Sequence, residues 1–338
     1  MTELPTVTIV IPTLNEELHI ESVLHACVDQ DYPPHLIDVI VVDGGSADAT
    51  VGIVESFAAI NDLTCLHNPD RHQSAGLNTA AALSNSEILV RWDAHCRYPD
   101  NYVTAAVSVL SESGVEVVGG LWMPVGDSLI GDWAAGAMRS RLGVGTDRYS
   151  ASKGRRDVDT VHCGAMRRTT FESVGGFDTT MRPAGEDVDL SYRILRGGGR
   201  IVLDPSIRVE YVTRASLGAV ARQYFGYGIA KANMFEKHRR LPSARPLAPA
   251  GLVAATTVGL IDRRTRRLAL MLSGAYAASV VALALRSVTG SFVRRLGAAG
   301  VSMTMHFSYG SGMWVGVLRA GVRRSRYDRS HRHDGRTS

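Results

Sequence analysis

The chain has 338 residues, of which 37 are basic and 33 acidic, and its formal net charge is +4. This length suggests about two domains, or one large domain with an appendage, and the small charge gives no indication of nucleic-acid binding. The four cysteines are too widely spaced to resemble a disulfide framework or a structural zinc site, which favours reduced thiols in a cytosolic domain. They are Cys27, Cys65, Cys96 and Cys163.

Short β-branched runs alternate with helical patterns from residue 5 to about residue 235. The first run follows an acidic N-terminus without a basic segment, so it predicts a strand and not a signal peptide. The predicted strands are VTIVI (7–11), DVIVV (38–42), LTCLH (63–67) and EILVRW (87–92), followed by VEVVGGLW, VHCGAMRR and RIVLD. The helical patterns between the first four strands cover 16–30, 49–60 and 74–84. This alternation predicts a largely parallel sheet with helices on both faces.

The composition changes after residue 237. A linker rich in proline and arginine, HRRLPSARPLAPA, precedes apolar stretches at 247–261 and 268–285, which DRRTRR separates. A third, weaker stretch at 297–318 contains Gly and Ser and leads into a basic tail. Apolar stretches beside arginines favour attachment to an anionic membrane over a buried helical subdomain. The second stretch just reaches spanning length, so the sequence leaves open whether these helices span the membrane or lie in its interface.

Polar segments follow each of the first four predicted strands. They are PTLNEE (12–17), DGGSADAT (43–50), HNPDRHQSAGLN (67–78) and DAH (93–95). Each alone is explained by an ordinary turn or helix start. Because ligands of open parallel sheets bind beyond the carboxyl ends of the strands, four such segments at one edge predict a site. Asp93 and His95 point to one side of an extended chain, where they either hold a divalent cation or belong to a polar loop.

A second acidic group lies in GEDVDLSYRI (185–194), where Glu186, Asp187 and Asp189 open a predicted helix. Carboxylates in a first helical turn are often only partners of the helix dipole. A loop ending in Gly185 would also place Asp187 at the lip of a cleft, where a general base belongs. Both interpretations remain open from these residues alone.

Taken together, these segments resemble family 2 glycosyltransferases with the GT-A fold. TIVIPTLNEE, VVDGGSADAT, NPDRHQSAGLN, RWDAHCRYP, GGFD and GEDVDLSYRI occur in the order typical of that family, over about residues 5–230. DAHCRYP, RQYFGYG and the apolar tail look closest to bacterial succinoglycan-biosynthesis-type exopolysaccharide enzymes. The resemblance implies a Rossmann-like α/β domain with a mostly parallel mixed sheet at 1–237. A linker, apolar membrane-associating helices and a basic tail would follow at 238–338.

The resemblance also implies an activity: inverting transfer of a hexosyl group from a nucleotide-sugar, most often a UDP-sugar, to a saccharide or lipid-linked acceptor. This would take place at the inner face of the cell membrane, with the catalytic domain in the cytoplasm. In the donor site, Thr13 and Glu16 would line the nucleoside pocket. Asp43 would accept a hydrogen bond from the base, and Arg71 and Asn78 match the segment beside the nucleotide.

The same resemblance assigns the reacting groups. Asp93 matches the first acid of the D-x-D motif, and His95 replaces the second. With diphosphate oxygens they would hold Mn²⁺ or Mg²⁺, and the imidazole favours Mn²⁺. Asp187 matches the catalytic base, with Glu186 beside it. His95 would make metal binding pH-dependent, because only a neutral imidazole is a ligand.

Other functions fit the sequence less well. PTLNEE lacks the glycine-rich basic loop of a sugar-nucleotide pyrophosphorylase, and neither G-x-G-x-x-G nor a P-loop occurs. Gly226 and Tyr227 replace the Arg-Trp of the processive Q-x-x-R-W motif, which favours addition of single residues. The alternative from another class is a non-catalytic membrane-anchored saccharide-binding or assembly subunit; intact Asp93 and Asp187 oppose it. Residues 122–160 are predicted to form either a mobile flap over the donor or a surface loop.

Overall fold

A computed structural model of the chain describes residues 3–140, 154–239 and 245–334, with side chains described up to residue 321. Nine strands in these ranges form one sheet, in the order β3-β2-β1-β4-β8-β6-β9-β5, with β7 paired to β9. The strands are β1 (Val7–Thr13), β2 (Ile37–Asp43), β3 (Thr64–His67), β4 (Ile88–Arg91), β5 (Cys96–Arg97), β6 (Val115–Val125), β7 (Arg156–Asp157), β8 (Ala165–Arg167) and β9 (Arg200–Val212).

The helices alternate with these strands in the first part of the chain and follow one another in the last. They are α1 (Ile20–Val28), α2 (Thr50–Ala58), α3 (Gln73–Leu83), α4 (Tyr102–Leu110), α5 (Leu129–Arg139), α6 (Arg168–Ser173), α7 (Glu186–Arg196), α8 (Leu217–His238), α9 (Leu247–Ile261), α10 (Arg266–Ser287) and α11 (Phe292–Asp334). A single 3₁₀ turn at Pro34–Leu36 precedes β2.

The first four strands confirm the prediction. β1 pairs in parallel with β2 and β4, and β2 pairs in parallel with β3. Thr13 lies opposite Asp43, and Asp43 lies opposite His67. The segments after these strands therefore leave the sheet at the same edge, as the alternation of strands and helices predicted.

The second half of the sheet is mixed. β8 runs antiparallel to both β4 and β6, whereas β6 and β9 are parallel to each other. The predicted strand over VHCGAMRR shortens to Ala165–Arg167, because Cys163 has a positive φ of 49° and cannot continue an extended chain.

Residues 122–160 are not one loop. β6 extends to Val125, and α5 follows, with Ser128 Oγ accepting a bond from the Gly131 N–H at 3.0 Å. This serine N-cap explains where α5 begins. Residues 141–153 of the predicted flap lie outside the described residues, and β7 lies in its last part.

The core beside the site is apolar and closely packed. Leu77 and Ala80 of α3 belong to one buried cluster with Val10 and Val42 of the adjacent strands. On the other side of β4, Trp92 is fully buried and its ring stacks on Tyr98 at 3.8 Å. The Tyr98 hydroxyl accepts a bond from the Asp93 N–H at 2.6 Å, which fixes the backbone where the chain leaves β4.

By packing, the chain forms two compact units. The first contains the whole sheet and consists of Met1–Val125, Thr146–Thr180 and Glu186–Val212; the second consists of Gly126–Gly145, Met181–Gly185 and Thr213–Ser338. The predicted domain boundary at residue 237 falls at the end of α8, inside the second unit. That the catalytic domain ends at residue 237 therefore stays a prediction.

In the second unit, glycines let helices approach closely. A Cβ at Gly228 of α8 would lie 2.1 Å from the Tyr309 carbonyl oxygen, and one at Gly312 of α11 would lie 2.0 Å from that of Phe225. Only glycine fits at such distances. The glycines that weakened the apolar stretch at 297–318 therefore do not interrupt a helix; they form its contact with α8.

Two helices of this unit are strongly apolar. Among the described residues, α10 is the one helix long and apolar enough to cross a membrane, with a mean hydropathy of 2.0 over 18 residues. Only 17% of that window is buried, and Leu270 and Met271 are more than half exposed. α9 is shorter, at 15 residues. These two helices match the apolar stretches predicted at 247–261 and 268–285, and α10 is the candidate for membrane association.

Candidate active site

The loops after β1 and β2 are joined by hydrogen bonds. Asn15, with a positive φ of 56°, donates from its backbone N–H to Ser46 Oγ at 2.8 Å and accepts from the Ala47 N–H at 2.9 Å. The Glu16 N–H donates to Thr50 Oγ1 at 2.8 Å. The predicted PTLNEE and DGGSADAT segments therefore form one surface at the edge of the sheet.

Asp43 anchors this surface and is 4% exposed. Its carboxylate accepts bonds from Thr13 Oγ1 at 3.2 Å, from the Gly45 N–H at 2.7 Å and from the Ser46 N–H at 2.9 Å. Burial raises the pKa of Asp43, but these bonds and that of the Ser46 hydroxyl outweigh it and lower the pKa below its usual value. The structure thus brings Thr13 and Asp43 together, with Asp43 ionised.

Arg71 and Asn78 are held in different surroundings. Arg71, with a φ of 53°, donates from Nη2 to the Gly45 carbonyl at 3.2 Å, so it reaches the loop that carries Asp43. Asn78 lies on α3 and pairs with the backbone of Phe177, donating at 2.8 Å and accepting at 2.9 Å. Asn78 therefore clamps the GGFD turn, and its predicted place beside a nucleotide stays a prediction.

Asp93 is 5% exposed and lies between two basic side chains. Arg91 Nε is 3.1 Å from Oδ1, and His162 Nε2 is 3.1 Å from Oδ2. Gln73 also donates to Oδ1, at 3.3 Å. Burial raises the pKa of Asp93, but the charges of Arg91 and His162 outweigh it and hold the pKa well below its usual range.

Arg91 also contacts the second acidic group. Its Nη1 is 3.0 Å from Glu186 Oε1, and both side chains are at least nine-tenths buried. One guanidinium therefore joins the end of β4 to the first turn of α7. Burial raises the pKa of Glu186, the negative charge of Asp187 adds to this effect, and Arg91 opposes it. The sequence analysis missed Arg91, although an arginine at the end of the buried run EILVRW was the available signal.

Asp187 differs from its neighbour because it is half-buried. Its Oδ1 accepts a bond from the Val188 N–H at 2.8 Å. Together with Arg91 and Cys163, Asp187 lines a cavity of the first unit. Of Glu186 and Asp187, Asp187 is therefore the carboxylate that solvent reaches, and its role as a base stays a prediction.

His95 is oriented by Glu16, whose Oε1 lies 3.2 Å from Nδ1. The ring also packs edge-on against Tyr211, with centroids 5.2 Å apart. If Nδ1 carries the proton for Glu16, Nε2 keeps its lone pair, which is the arrangement that metal-binding histidines have. The Asp93 carboxylate and this imidazole are oxygen and nitrogen donors of the kind that bind Mn²⁺, and their role as cation ligands stays a prediction.

Two more residues near Asp93, His162 and Cys163, were not predicted as site residues. The Tyr98 hydroxyl contacts Cys163 Sγ at 3.2 Å, and His162 precedes Cys163 directly. Burial raises the pKa of Cys163, but the hydrogen bond from Cys96 and the charge of His162 outweigh it and lower the pKa to about 5. The only signal in the sequence was an adjacent His-Cys pair before a short strand.

Comparisons with known proteins agree with this geometry. The model of the family "Glycosyl transferase family 2" matches residues 8–175. The succinoglycan biosynthesis protein ExoA of Rhizobium meliloti is 33% identical over 319 residues, which cover 92% of this chain and 94% of that protein. The chain belongs to glycosyl transferase family 2. Glycosyltransferase AglE of Haloferax volcanii is 36% identical over a shorter stretch of 119 residues, which covers 35% of this chain and 39% of that protein.

Solved structures confirm the predicted GT-A fold. The mannosyltransferase PcManGT from Pyrobaculum calidifontis, in complex with GDP-Man and Mn²⁺, has a TM-score of 0.56 at 23% identity, covering 95% of this chain and 87% of its own. GalNAc-T7 with UDP, GalNAc and Mn²⁺ has a TM-score of 0.51 at 16% identity, covering 64% of this chain and 45% of its own. At these identities the likeness shows the fold alone.

Proposed function

We propose that this family 2 glycosyltransferase moves a hexosyl group from a nucleotide-sugar to a saccharide or lipid-linked acceptor. The favoured donor is a UDP-sugar, and the product is part of an exopolysaccharide or another cell-surface glycan. One observation carries the proposal: the Asp43 loop, Asp93 with His95, and the first turn of α7 with Asp187 all belong to one compact unit, and Glu16 and Arg91 link them. The name of ExoA supports the exopolysaccharide, and the ligands of PcManGT support a sugar nucleotide and a cation.

Asp93 and His95 would hold the cation, Mn²⁺ or Mg²⁺. The ion supplies positive charge to the diphosphate that leaves when the anomeric C–O bond breaks. An oxygen and a nitrogen ligand together favour Mn²⁺ over Mg²⁺. Glu16 fixes the orientation of His95, and Arg91 fixes that of Asp93, so both ligands are held before the donor binds.

Asp187 acts as the general base in this proposal. It takes the proton of the acceptor hydroxyl while the acceptor oxygen bonds to the anomeric carbon from the side opposite the leaving diphosphate. The configuration at that carbon is therefore inverted. Glu186 was expected beside the base; buried and paired with Arg91, it positions the start of α7 and leaves the proton transfer to Asp187.

We further propose that α9 and α10 attach the enzyme to the inner membrane, with the catalytic domain in the cytoplasm. Their exposed apolar side chains, among them Leu268 and Leu272, suit the hydrocarbon region. Arginines between the two helices, Arg263 and Arg264, suit the anionic headgroups at its surface.

The test is nucleoside diphosphate release by the purified full chain with a panel of UDP-, GDP- and dTDP-sugars, each with and without extracted lipid and saccharide acceptors. We expect release from one donor with Mn²⁺, and none with chelator or in Asp93→Ala. The exposed Asp100→Ala is the matched control and should behave like the wild type. Release that survives chelator and Asp93→Ala would overturn the metal role. Nucleotide binding without release from any donor would favour the non-catalytic subunit.

A further inference from the structure

Three metal-ligating side chains meet beside Asp93 without belonging to the proposed cation pair. Cys96 begins β5, and Gly164 separates His162 and Cys163 from the start of β8. One ligand atom from each of the three lies within 4.8 Å of the other two. Both cysteines are reduced and buried, at 2% and 3% exposure. The mechanism proposed above uses none of these three side chains.

The backbone explains how two consecutive residues reach one point. In an extended chain the side chains of His162 and Cys163 would point to opposite sides. The left-handed conformation of Cys163, with φ at 49°, breaks this alternation and brings both donor atoms to Cys96. Residues other than glycine rarely adopt this conformation, because it brings Cβ too close to the backbone. A plain packing role for a small thiol does not require it.

The surroundings match those of a metal-bound histidine. Asp93 Oδ2 lies 3.1 Å from His162 Nε2, so a carboxylate stands beside the ring, as it does beside many metal-bound histidines. The Tyr98 hydroxyl lies 3.2 Å from Cys163 Sγ, where it stabilises a thiolate. An ion has a route to the cluster, because the His162 side chain is 26% exposed and a cavity is lined by Cys163 and Asp187.

We propose that Cys96, His162 and Cys163 form a binding site for a thiophilic divalent cation, with Zn²⁺ as the favoured ion. This site is separate from that of Asp93 and His95. Two thiolates and one imidazole suit Zn²⁺ and suit Mg²⁺ or Mn²⁺ poorly. Binding releases to solvent the protons that the ligands still carry, and a water molecule takes the fourth position. Sixty-six residues separate the two cysteines, which is why spacing gave no zinc signal.

Cadmium tests the site, because Cd²⁺ bound to thiolates absorbs in the near ultraviolet. Titration of the purified full chain should show one tightly bound Cd²⁺ that Zn²⁺ displaces and a large excess of Mg²⁺ does not. Cys96→Ser and Cys163→Ser should each remove about half of the absorption and weaken binding by ~10-fold or more. Cys27→Ser, at a cysteine equally buried in α1, is the matched control and should leave both unchanged.

A second measurement uses the wild-type protein alone, so it does not depend on how the variants fold. X-ray absorption of the zinc-loaded chain should show two sulfur ligands at about 2.3 Å and one imidazole nitrogen at about 2.0–2.1 Å. A shell of oxygen and nitrogen only would overturn the proposal. So would cadmium absorption that persists in both Cys96→Ser and Cys163→Ser. Neither readout involves sugar transfer, so failure here leaves the proposed function untouched.

Discussion

Two parts of the site are held together in opposite ways. The loops after β1 and β2 are joined by hydrogen bonds from backbone N–H groups to side-chain oxygens, as from Asn15 to Ser46 and from Ala47 to Asn15. The Asp43 carboxylate accepts two more such bonds within its own turn. The centre around Arg91 is held by ion pairs between buried side chains, and one of them joins Arg91 to Glu186, 95 positions further along the chain.

The difference shows how each part responds to the loss of one group. In the loops, a lost acceptor leaves backbone N–H groups that water can reach in part, and the cost is moderate. In the centre, removing one partner leaves a buried charge without compensation, which is far more costly. The loops therefore tolerate variation, whereas the centre depends on every member.

Of the substitutions proposed here, we expect Arg91→Met to lower the free energy of unfolding most. It leaves Asp93 and Glu186 as buried carboxylates without their shared partner, and we expect a loss of about 3–5 kcal/mol in the free energy of unfolding. Denaturant unfolding of the purified chain measures it. Arg97→Met is the control, because the Arg97–Glu210 pair is about half exposed and should contribute less than ~1 kcal/mol. Equal losses in the two variants would contradict the comparison.

Asp43→Asn tests the loop side. The variant loses a carboxylate that accepts bonds from several donors, which should cost about 1–3 kcal/mol at neutral pH. Because the native pKa of Asp43 is lowered, its contribution is complete above the unfolded pKa and disappears as the pH falls through the native one.

Thermal unfolding from neutral pH down to about pH 3 measures this effect. The difference between wild type and Asp43→Asn should shrink as the solution becomes acid. A difference that stays constant over this range would mean that the carboxylate charge does not stabilise the loop. Asp100→Asn, at an exposed position, should follow the wild type throughout.

Asn15→Ala should have the smallest effect, about 1–2 kcal/mol. It removes the acceptor for the Ala47 N–H. It also leaves alanine at a φ of 56°, a conformation that asparagine adopts more readily. Asn15→Gly is the matched variant, since it loses the same bond but adopts this φ freely. Denaturant unfolding should therefore rank wild type above Asn15→Gly, and Asn15→Gly above Asn15→Ala. The reverse order would show that backbone conformation is not what Asn15 supplies.

The same contrast explains what the sequence could predict. The strands β1 to β4 and the helices between them follow from local periodicity, and so does the meeting of Thr13 with Asp43 at one edge. The pairing of Arg91 with Glu186 does not, because no local pattern relates residues on β4 and α7. From the sequence, Arg91 was one residue of the predicted strand 87–92, and its pairing with Glu186 appears only when α7 is in place.

Two other differences have equally specific causes. The strand predicted over VHCGAMRR begins late, because the backbone at Cys163 turns into the left-handed region. The weak apolar stretch at 297–318 is part of a long helix, because Gly312 is needed for contact with α8. Propensity alone counts such a glycine against a helix, whereas packing against a neighbour requires it.

In the proposed mechanism Asp187 takes the acceptor proton, and Glu186 only positions the start of α7. The most direct test measures turnover and nucleotide affinity in the same preparation of Asp187→Asn. We expect a ~10²–10⁴-fold loss of turnover with unchanged affinity for the nucleoside diphosphate and an unchanged unfolding midpoint. Turnover close to that of the wild type, or a parallel loss of nucleotide affinity, would contradict it.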